Sequence, residues 1–319
     1  MDLNYKETEP FEIGFADHFL KNIAPLLNEI EIKRSEAAEN FTFAPLHDYE
    51  GQLKRLVLPE ILSFFGPYTF NSEGSIEKSV LGSGLFPGWI TARQEDQISG
   101  EHKGRRFEFA NVRLEGGRDN TTRSKVVFDG AVLRVEIPPV PGITMVVHDQ
   151  GQIRNWLEGI SKAFRGVLPV PLGNDALEAE FEVYASDAEV AKNIVGEDLI
   201  IMKKALSSLF GTLAPDIAFH DSSFVVKIET SDKFLELNQP APSSFGIPIV
   251  KKFVRDIHNL LQIIDIACGV VDRLEPKFIG FAQPAYVDQI IDNGDGTFTV
   301  QGRTYKSRSS AEAFLDHFG

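Results

Sequence analysis

Apolar residues along the chain follow two rhythms, one of three to four positions and one of two, and these divide it into helices and strands. Phe15, Phe19, Ile23, Leu26, Leu27 and Ile30 recur at helical spacing and predict an amphipathic helix over 12–34. The polar stretch "EIKRSEAAENFTFAPLHD" then reads as a connection. A second helix is expected over 49–65, "YEGQLKRLVLPEILSFF", stopped by Gly66-Pro67. Residues 68–148 switch to the rhythm of two. In "RRFEFANVRLEGG", Phe107 and Phe109 share one face while Val112 and Leu114 fall out of phase, which predicts a bulge near Ala110-Asn111. "GGRDNTTR" is a loop and "SKVVFDGAVLRVEIP" the returning strand, where Leu133, Val135 and Ile137 alternate with Arg134 and Glu136. "ITMVV" at 143–147 reads as a further buried strand.

Helical spacing returns at Ile153, Trp156, Leu157, Ile160 and Phe164, with Asp149 as the cap. "VLPVPLG" is a linker and "EAEFEVYASD" a strand, and Ser186 with Glu189 forms a capping box for the next helix. Leu199, Met202, Leu206, Leu209 and Phe210 line another helix, closed by Gly211. "PDIAFHDSSFVVKIE" reads as strand, turn, strand. A proline-rich crossover, "NQPAPSSFGIP", delivers the longest helix, about 249–274, whose polar stripe holds Arg255, His258, Asn259, Gln262, Asp265 and Asp272. In this reading Asp265 lies on the wet side and has no special role. The order of elements gives an α+β fold: a helical N-terminal segment (1–66), a central domain with a mixed or antiparallel sheet (67–280), and a small C-terminal hairpin-plus-helix addition (281–319).

Composition narrows the functional classes. The 319 residues are 43% hydrophobic and 24% charged, ordinary for a chain that buries a core. A net charge of −14 repels phosphate backbones, so nucleic acid is not an expected partner. The single cysteine, Cys268, lies in the apolar run "IIDIACGVV" and reads as a buried, inert thiol. The N-terminal stretch "MDLNYKETEPFEIGF" lacks the apolar core of a secretory signal, and no run approaches the roughly 18 apolar residues that span a bilayer.

Few stretches suggest chemistry. "IDNGDGTFTVQGRTY" at 291–305 resembles a calcium loop, but counting from Asp292 puts Gly294 third, Gly296 fifth and Arg303 twelfth, where a bidentate Glu is needed. It reads instead as two strands, "YVDQIID" and "TFTVQGRTY", around a glycine turn, followed by a short helix in "SRSSAEAFLDHF". His220, Asp221 and Ser222 are adjacent, and adjacent residues on a turn do not reach nucleophile–base–orienter geometry. No phosphate loop, dinucleotide fingerprint or nucleophile elbow occurs, so no catalytic, cofactor-binding or metal-binding residue is assigned. One region departs from the acidic background. Residues 101–136 carry eight basic side chains (Lys103, Arg105, Arg106, Arg113, Arg118, Arg123, Lys125 and Arg134) against six acidic ones. Lys103, Arg105, Arg106, Arg113, Arg118, Arg123 and Lys125 form the candidate binding surface, facing an acidic partner or anionic headgroups.

The succession "SGLFPGWITARQEDQISGEHKGRRFEFANVRLE", "VFDGAVLRVEI", "EAEFEVYASDAEVAKNIVGEDLIIMKKAL" and "IAFHDSSFVVKI", then the late long helix, resembles a bacterial family catalogued as domain of unknown function 3137. The resemblance covers about 12–36 and 48–275. It implies an inner-membrane protein with an N-terminal helix, a pair of hydrophobic spans and a cytoplasmic α+β domain, often linked with LemA-type membrane proteins. It implies no catalytic residue or cofactor. This chain departs from the pattern in lacking the spans, whose place is flanked by Lys33-Arg34 and Lys54-Arg55. The expectation is a naturally soluble member or one without its membrane hairpin. The functional expectation is a non-enzymatic, cytoplasmic, membrane-associated binding or scaffold protein with a protein partner, a membrane surface or a second copy of itself as its counterpart. The alternatives are a hydrolase with a site built from scattered carboxylates and histidines, and a recognition module for anionic headgroups or acidic partners.

Overall fold

The computed structural model of the chain describes residues 5–39, 49–81, 84–116, 125–148, 167–173, 178, 180–210, 215–230, 234–236, 246–281, 291–292, 294, 296–300 and 303–310. Its elements, in chain order, are α1 (Phe15–His18), α2 (Ala24–Glu39), α3 (Tyr49–Leu56), α4 (Leu58–Phe65), β1 (Thr69–Asn71), α5 (Lys78–Leu81), β2 (Trp89–His102), β3 (Arg105–Gly116), β4 (Lys125–His148), β5 (Leu168–Pro169) and β6 (Phe181–Ala185). They continue with α6 (Ala188–Ile194), α7 (Glu197–Phe210), β7 (Asp216–Glu229), α8 (Ile247–Phe281), β8 (Ile291–Asp292), β9 (Phe298–Val300) and β10 (Arg303–Tyr305). The chain divides into two compact units, Met1–Pro276 and Lys277–Gly319. The fold is α+β, as the hydrophobic pattern predicts.

The first helix is longer than predicted and contains a wide turn. A π-helical turn, Phe19–Ile23, joins α1 to α2. Phe15, Phe19, Ile23 and Leu27 are spaced by four, and all are at most 1% exposed. At 3.6 residues per turn a spacing of four drifts around the helix, and the wide turn keeps these side chains on one face. The predicted connection after residue 34 is in fact helical to Glu39. The second predicted helix is two, because Pro59 brings no N–H to the first turn of α4 and the chain breaks at Val57.

The sheet has the order β1-β2-β3-β4-β6-β5, with β7 also paired to β4. Every pairing is antiparallel. The spine is β4, which runs unbroken through what reads in sequence as two strands. It bends between Glu136 and Ile143, where its register with β7 shifts twice. The segment there is Pro138-Pro139-Val140-Pro141-Gly142, and prolines donate no ladder hydrogen bonds. On β7 the predicted turn at Asp221 is likewise a bend in one strand, with Asp221 at φ 50°.

Both faces of the sheet are covered, which explains the phase slip along β3. Ala110, Val112 and Leu114 join a cluster with Ile76, Leu85, Phe86, Val132 and Met145 on one face. Phe107 and Phe109 point to the other, where Phe234 meets Phe109 at 5.0 Å and Tyr68 meets Phe107 at 5.6 Å. The bulge lies across from the predicted place: Glu95 pairs with Asn111 and Ile98 with Phe109, so the extra residue is on β2. Asp96, at φ 56°, absorbs it.

The cap of α6 also differs from the capping box. Asp187 accepts from the backbone N–H groups of Glu189 and Val190, while the Ser186 hydroxyl accepts from the backbone N–H of Ile143, tying β6 to the far side of the β4 bend. The predicted helix over 149–164, the close of α7 at Gly211 and the proline-rich crossover before Gly246 lie outside the described residues. In the second unit, β9 pairs with both β8 and β10, so "TFTVQGRTY" is itself a hairpin. Gly294 and Gly296 take φ 76° and 82°, backbone that an L side chain rarely adopts. The helix predicted after it begins at 308–310, and the remainder of that stretch lies outside the described residues.

Candidate functional site

The β2–β3 hairpin presents a different surface on each side. Ser99, Glu101, Arg106 and Glu108 alternate with Gly100, His102, Arg105 and Phe107, so the two sets point to opposite faces. The first set, with Arg134 and Glu136 of β4 and with Glu77, lines an open groove of about 530 Å3. Arg134 lies opposite Glu108 and donates to its carboxylate at 3.2 Å and to the Ser223 hydroxyl at 2.8 Å. Glu136, beside Ser223 on β7, is the last residue paired before β4 bends. The groove thus opens where the prolines turn the strand away. Arg106, Glu101 and Glu136 are exposed at its sides and form no ion pair with a described residue.

The opposite side of the hairpin is clamped to α8. The Tyr68 hydroxyl lies 2.6 Å from Nδ1 of His102, and Nε2 of His102 lies 2.7 Å from the Asp265 carboxylate. A neutral ring satisfies both contacts in one tautomer, accepting from Tyr68 and donating to Asp265. Lys103, in the hairpin turn, donates to the same carboxylate at 2.6 Å. Arg105 donates through two nitrogens to Asp272, at 3.0 and 2.6 Å. Burial alone would raise the Asp265 carboxyl, but the Lys103 and His102 hydrogen bonds outweigh it and hold the group below its ordinary range. Burial pushes the Tyr68 phenol up, and the Asp265 charge adds to this. Asp265 is therefore not idle on a wet stripe, as its helical position suggests: it is the anchor for the hairpin. Its sequence distance from His102 hides this.

The predicted basic surface is largely committed within the chain. Lys103 and Arg105 face Asp265 and Asp272, and Arg113 bridges Asp129 at 2.6 Å and Glu115 at 3.3 Å. Arg106 points into the groove, and Lys125 is exposed at the start of β4. Arg118 and Arg123 lie outside the described residues. The basic pairs flanking 40–48 are committed too. Lys33 pairs with Glu29 and Arg34 with Glu31, while Lys54 is turned inward to Asp96 at 2.7 Å.

Two further ionisable clusters belong to the core. Lys203 is fully buried, donates to the Val146 carbonyl at 2.9 Å and sits 4.5 Å over the Phe181 ring. Burial pushes its ammonium down to about 7, opposed by Asp216 and reinforced by Lys227. Lys227 in turn pairs with Asp216 at 3.0 Å and Glu229 at 2.9 Å. Cys268 is buried, and burial pushes its thiol up to about 11. Among the described residues no group of His, Cys, Asp and Glu gathers in a way that could hold a metal ion. No described helix is long and apolar enough to cross a membrane.

Residues 126–274, from β4 into α8, match the model of a family described as "Protein of unknown function (DUF3137)". That segment is similar to the DUF3137 family. The match supports the family resemblance read from the sequence over the later part of its span, which supplies β4, β6, β7 and most of α8. No curated protein matches the chain. Among solved structures, the crystal structure of the mycobacterial trehalose monomycolate transport factor A, TtfA, is similar over 67% of this chain and 93% of that one, at 8% identity and a TM-score of 0.33. The groove straddles the start of the matched segment: Arg134 and Glu136 lie within it, and the β2–β3 hairpin lies before it.

Proposed function

We propose that this chain is a non-enzymatic binding or scaffold module that works in the cytoplasm at the inner face of a membrane and holds a protein partner. The observation that carries this reading is the open groove, lined by charged side chains from β2, β3 and β4. Its walls are strands of a sheet packed on both faces, a rigid mount that suits recognition. The strongly perturbed lysine, by contrast, is sealed in the core at Lys203. The location at a membrane rests on the resemblance to a membrane-associated family. The test is photo-crosslinking from position 99, which lines the groove, in the source cell, with position 189 on α6 as control. The reading expects a discrete adduct from 99, recovered with the membrane fraction and missing from 189. Equal adducts from both positions, or none from 99, would count against it.

A second, enzymatic reading has one observation in its favour. Tyr68, His102 and Asp265 stand in the order of nucleophile, base and orienter. Turnover of an activated ester that disappears in Tyr68→Phe and in His102→Ala would establish it. Turnover that survives either change would remove it.

A further inference from the structure

We infer that the groove takes a cationic, extended polypeptide segment, with lysine or arginine side chains held by Glu101 and Glu136 and with backbone oxygens accepting from Arg106. This rests on the reading of the groove as the partner-binding surface. Charge sets the sign of the ligand. Four carboxylates (Glu77, Glu101, Glu108 and Glu136) and two guanidiniums line the groove. Arg134 is engaged by Glu108 and Ser223, which leaves Arg106 facing the acidic sides. The chain as a whole carries −14, so the long-range field also draws cations. An anionic ligand would meet an acidic groove in an acidic protein.

Shape sets the ligand's form. The floor is strand backbone at Gly100, flanked by the small Ser99. Gly100 has no Cβ because one would sit 2.9 Å from the Tyr68 ring, which packs on the opposite face. Beside it, β1 pairs with β2 at Gln97, Ile98 and Ser99 and ends there. The lining crosses three neighbouring strands, since Ser99 lies opposite Glu108 and Glu108 opposite Arg134, and an extended chain laid across them presents alternate side chains to the same side. The guanidinium supplies a second requirement. Arg106 offers donors and needs oxygen acceptors, which a peptide backbone has and a polyamine lacks.

The experiment uses the full chain and a fluorescein-labelled peptide of alternating lysine and alanine, followed by anisotropy at low and at physiological salt. Matched glutamate–alanine and serine–alanine peptides, and unlabelled spermidine as competitor, complete the set. The lysine peptide should bind, weaken about tenfold in Glu101→Gln/Glu136→Gln, and keep its affinity in Glu180→Gln/Glu189→Gln, which changes net charge equally elsewhere. Equal loss in both double variants would overturn the proposal, since binding would then follow net charge and not the groove. Displacement by spermidine as effective as by unlabelled peptide would overturn its polypeptide part. Binding of the glutamate or serine peptide instead, lost in Arg106→Gln, would overturn the cationic class while leaving the groove as the partner site. No binding of any peptide, together with no adduct from position 99, would overturn both.

Discussion

His102 and Asp265, 163 positions apart, hydrogen-bond at 2.7 Å and fasten the tip of the β2–β3 hairpin to the middle of α8. Tyr68 completes the chain from the other side of the ring. The ring is thus held at both nitrogens, and its loss leaves the half-buried Tyr68 phenol without this partner and takes from the Asp265 carboxylate one donor, with Lys103 remaining. His102→Ala is expected to cost about 2 kcal/mol in urea unfolding, in line with removing two hydrogen bonds of which one is charge-assisted. Hydrogen exchange should quicken first at 100–106 and in α8 around Asp265, while the cluster around Ile76, Phe86 and Phe128 keeps its protection. A cost below a few tenths of a kcal/mol would mean that Lys103 and Arg105 hold the hairpin without the histidine.

Lys54 and Asp96 make a buried pair whose members are not equivalent. Burial pushes the Asp96 carboxyl up against the opposing pull of Lys54, and Asn111 is its second partner at 3.4 Å. Lys54→Met strands that carboxylate and should cost about 3 kcal/mol at neutral pH. Because the stranded group has a raised pKa, stability of this variant should recover as pH falls and the carboxyl takes up a proton. Lys54→Met with Asp96→Asn should cost under about 1 kcal/mol, since Asn tolerates the left-handed backbone at φ 56°. Equal costs for the single and double variants would show that the bulge backbone, and not the charge, carries the effect.

The legible part of this fold is the part written in local periodicity. Phe15 to Ile30 announce a helix because every fourth or third residue must meet the core, and the structure buries nearly all of them. What the sequence conceals is of three kinds. Continuity is hidden where a strand bends without breaking, as at Pro138-Pro139 in β4 and Asp221 in β7, since the same residues also make turns. Bulge placement is hidden because a phase slip in β3 signals a change of covered face, and the extra residue can sit on either strand. Long-range charge pairing is hidden most completely. Lys103, Arg105 and Arg113 read as a basic surface because Asp265, Asp272 and Asp129 are brought to them only by the fold. The groove was legible as composition, an unusual density of mixed charge over 101–136, but not as the placement of Arg106, Glu101 and Glu136 around one space.

Glu12 locks the N-terminal segment. Its carboxylate accepts from the Tyr5 hydroxyl at 2.8 Å and from the backbone N–H groups of Thr8 and Glu9 at 2.5 and 3.2 Å. Burial raises this carboxyl, and the three hydrogen bonds with the nearby Lys251 outweigh it, so its pKa is lowered. A lowered carboxyl contributes stability that is present above the ordinary carboxylate pKa and lost as pH falls through the folded value. The wild type should therefore lose protection of residues 5–20 in acid, and Glu12→Gln should show that loss already at neutral pH, at a cost of about 2 kcal/mol. Limited proteolysis from pH 7 down to 3 reads both. A variant whose N-terminal cleavage matches wild type at pH 7 would show that the Phe15, Phe19 and Tyr5 contacts suffice without the carboxylate.

Lys203 has the opposite sign. Its ammonium is buried against Val146 and Phe181, and burial lowers its pKa to about 7. An unfolded lysine titrates near 10.4, so the unfolded state binds more protons between these values. The burial penalty is fully present below about 7 and is relieved as pH rises toward 10. Lys203→Met keeps the length of the side chain and removes the charge, at the expense of the Val146 hydrogen bond. The variant should be more stable than wild type by about 2 kcal/mol at pH 6. The gap should then narrow steadily as pH rises through 7 to 10, because the wild type improves while the variant has no proton to lose. Thermal unfolding of both proteins across that range measures the gap directly. A constant gap would mean that Lys203 stays charged through the window, with Asp216 compensating its burial, and a destabilised variant at pH 6 would mean that the hydrogen bond to Val146 outweighs the cost of the buried charge.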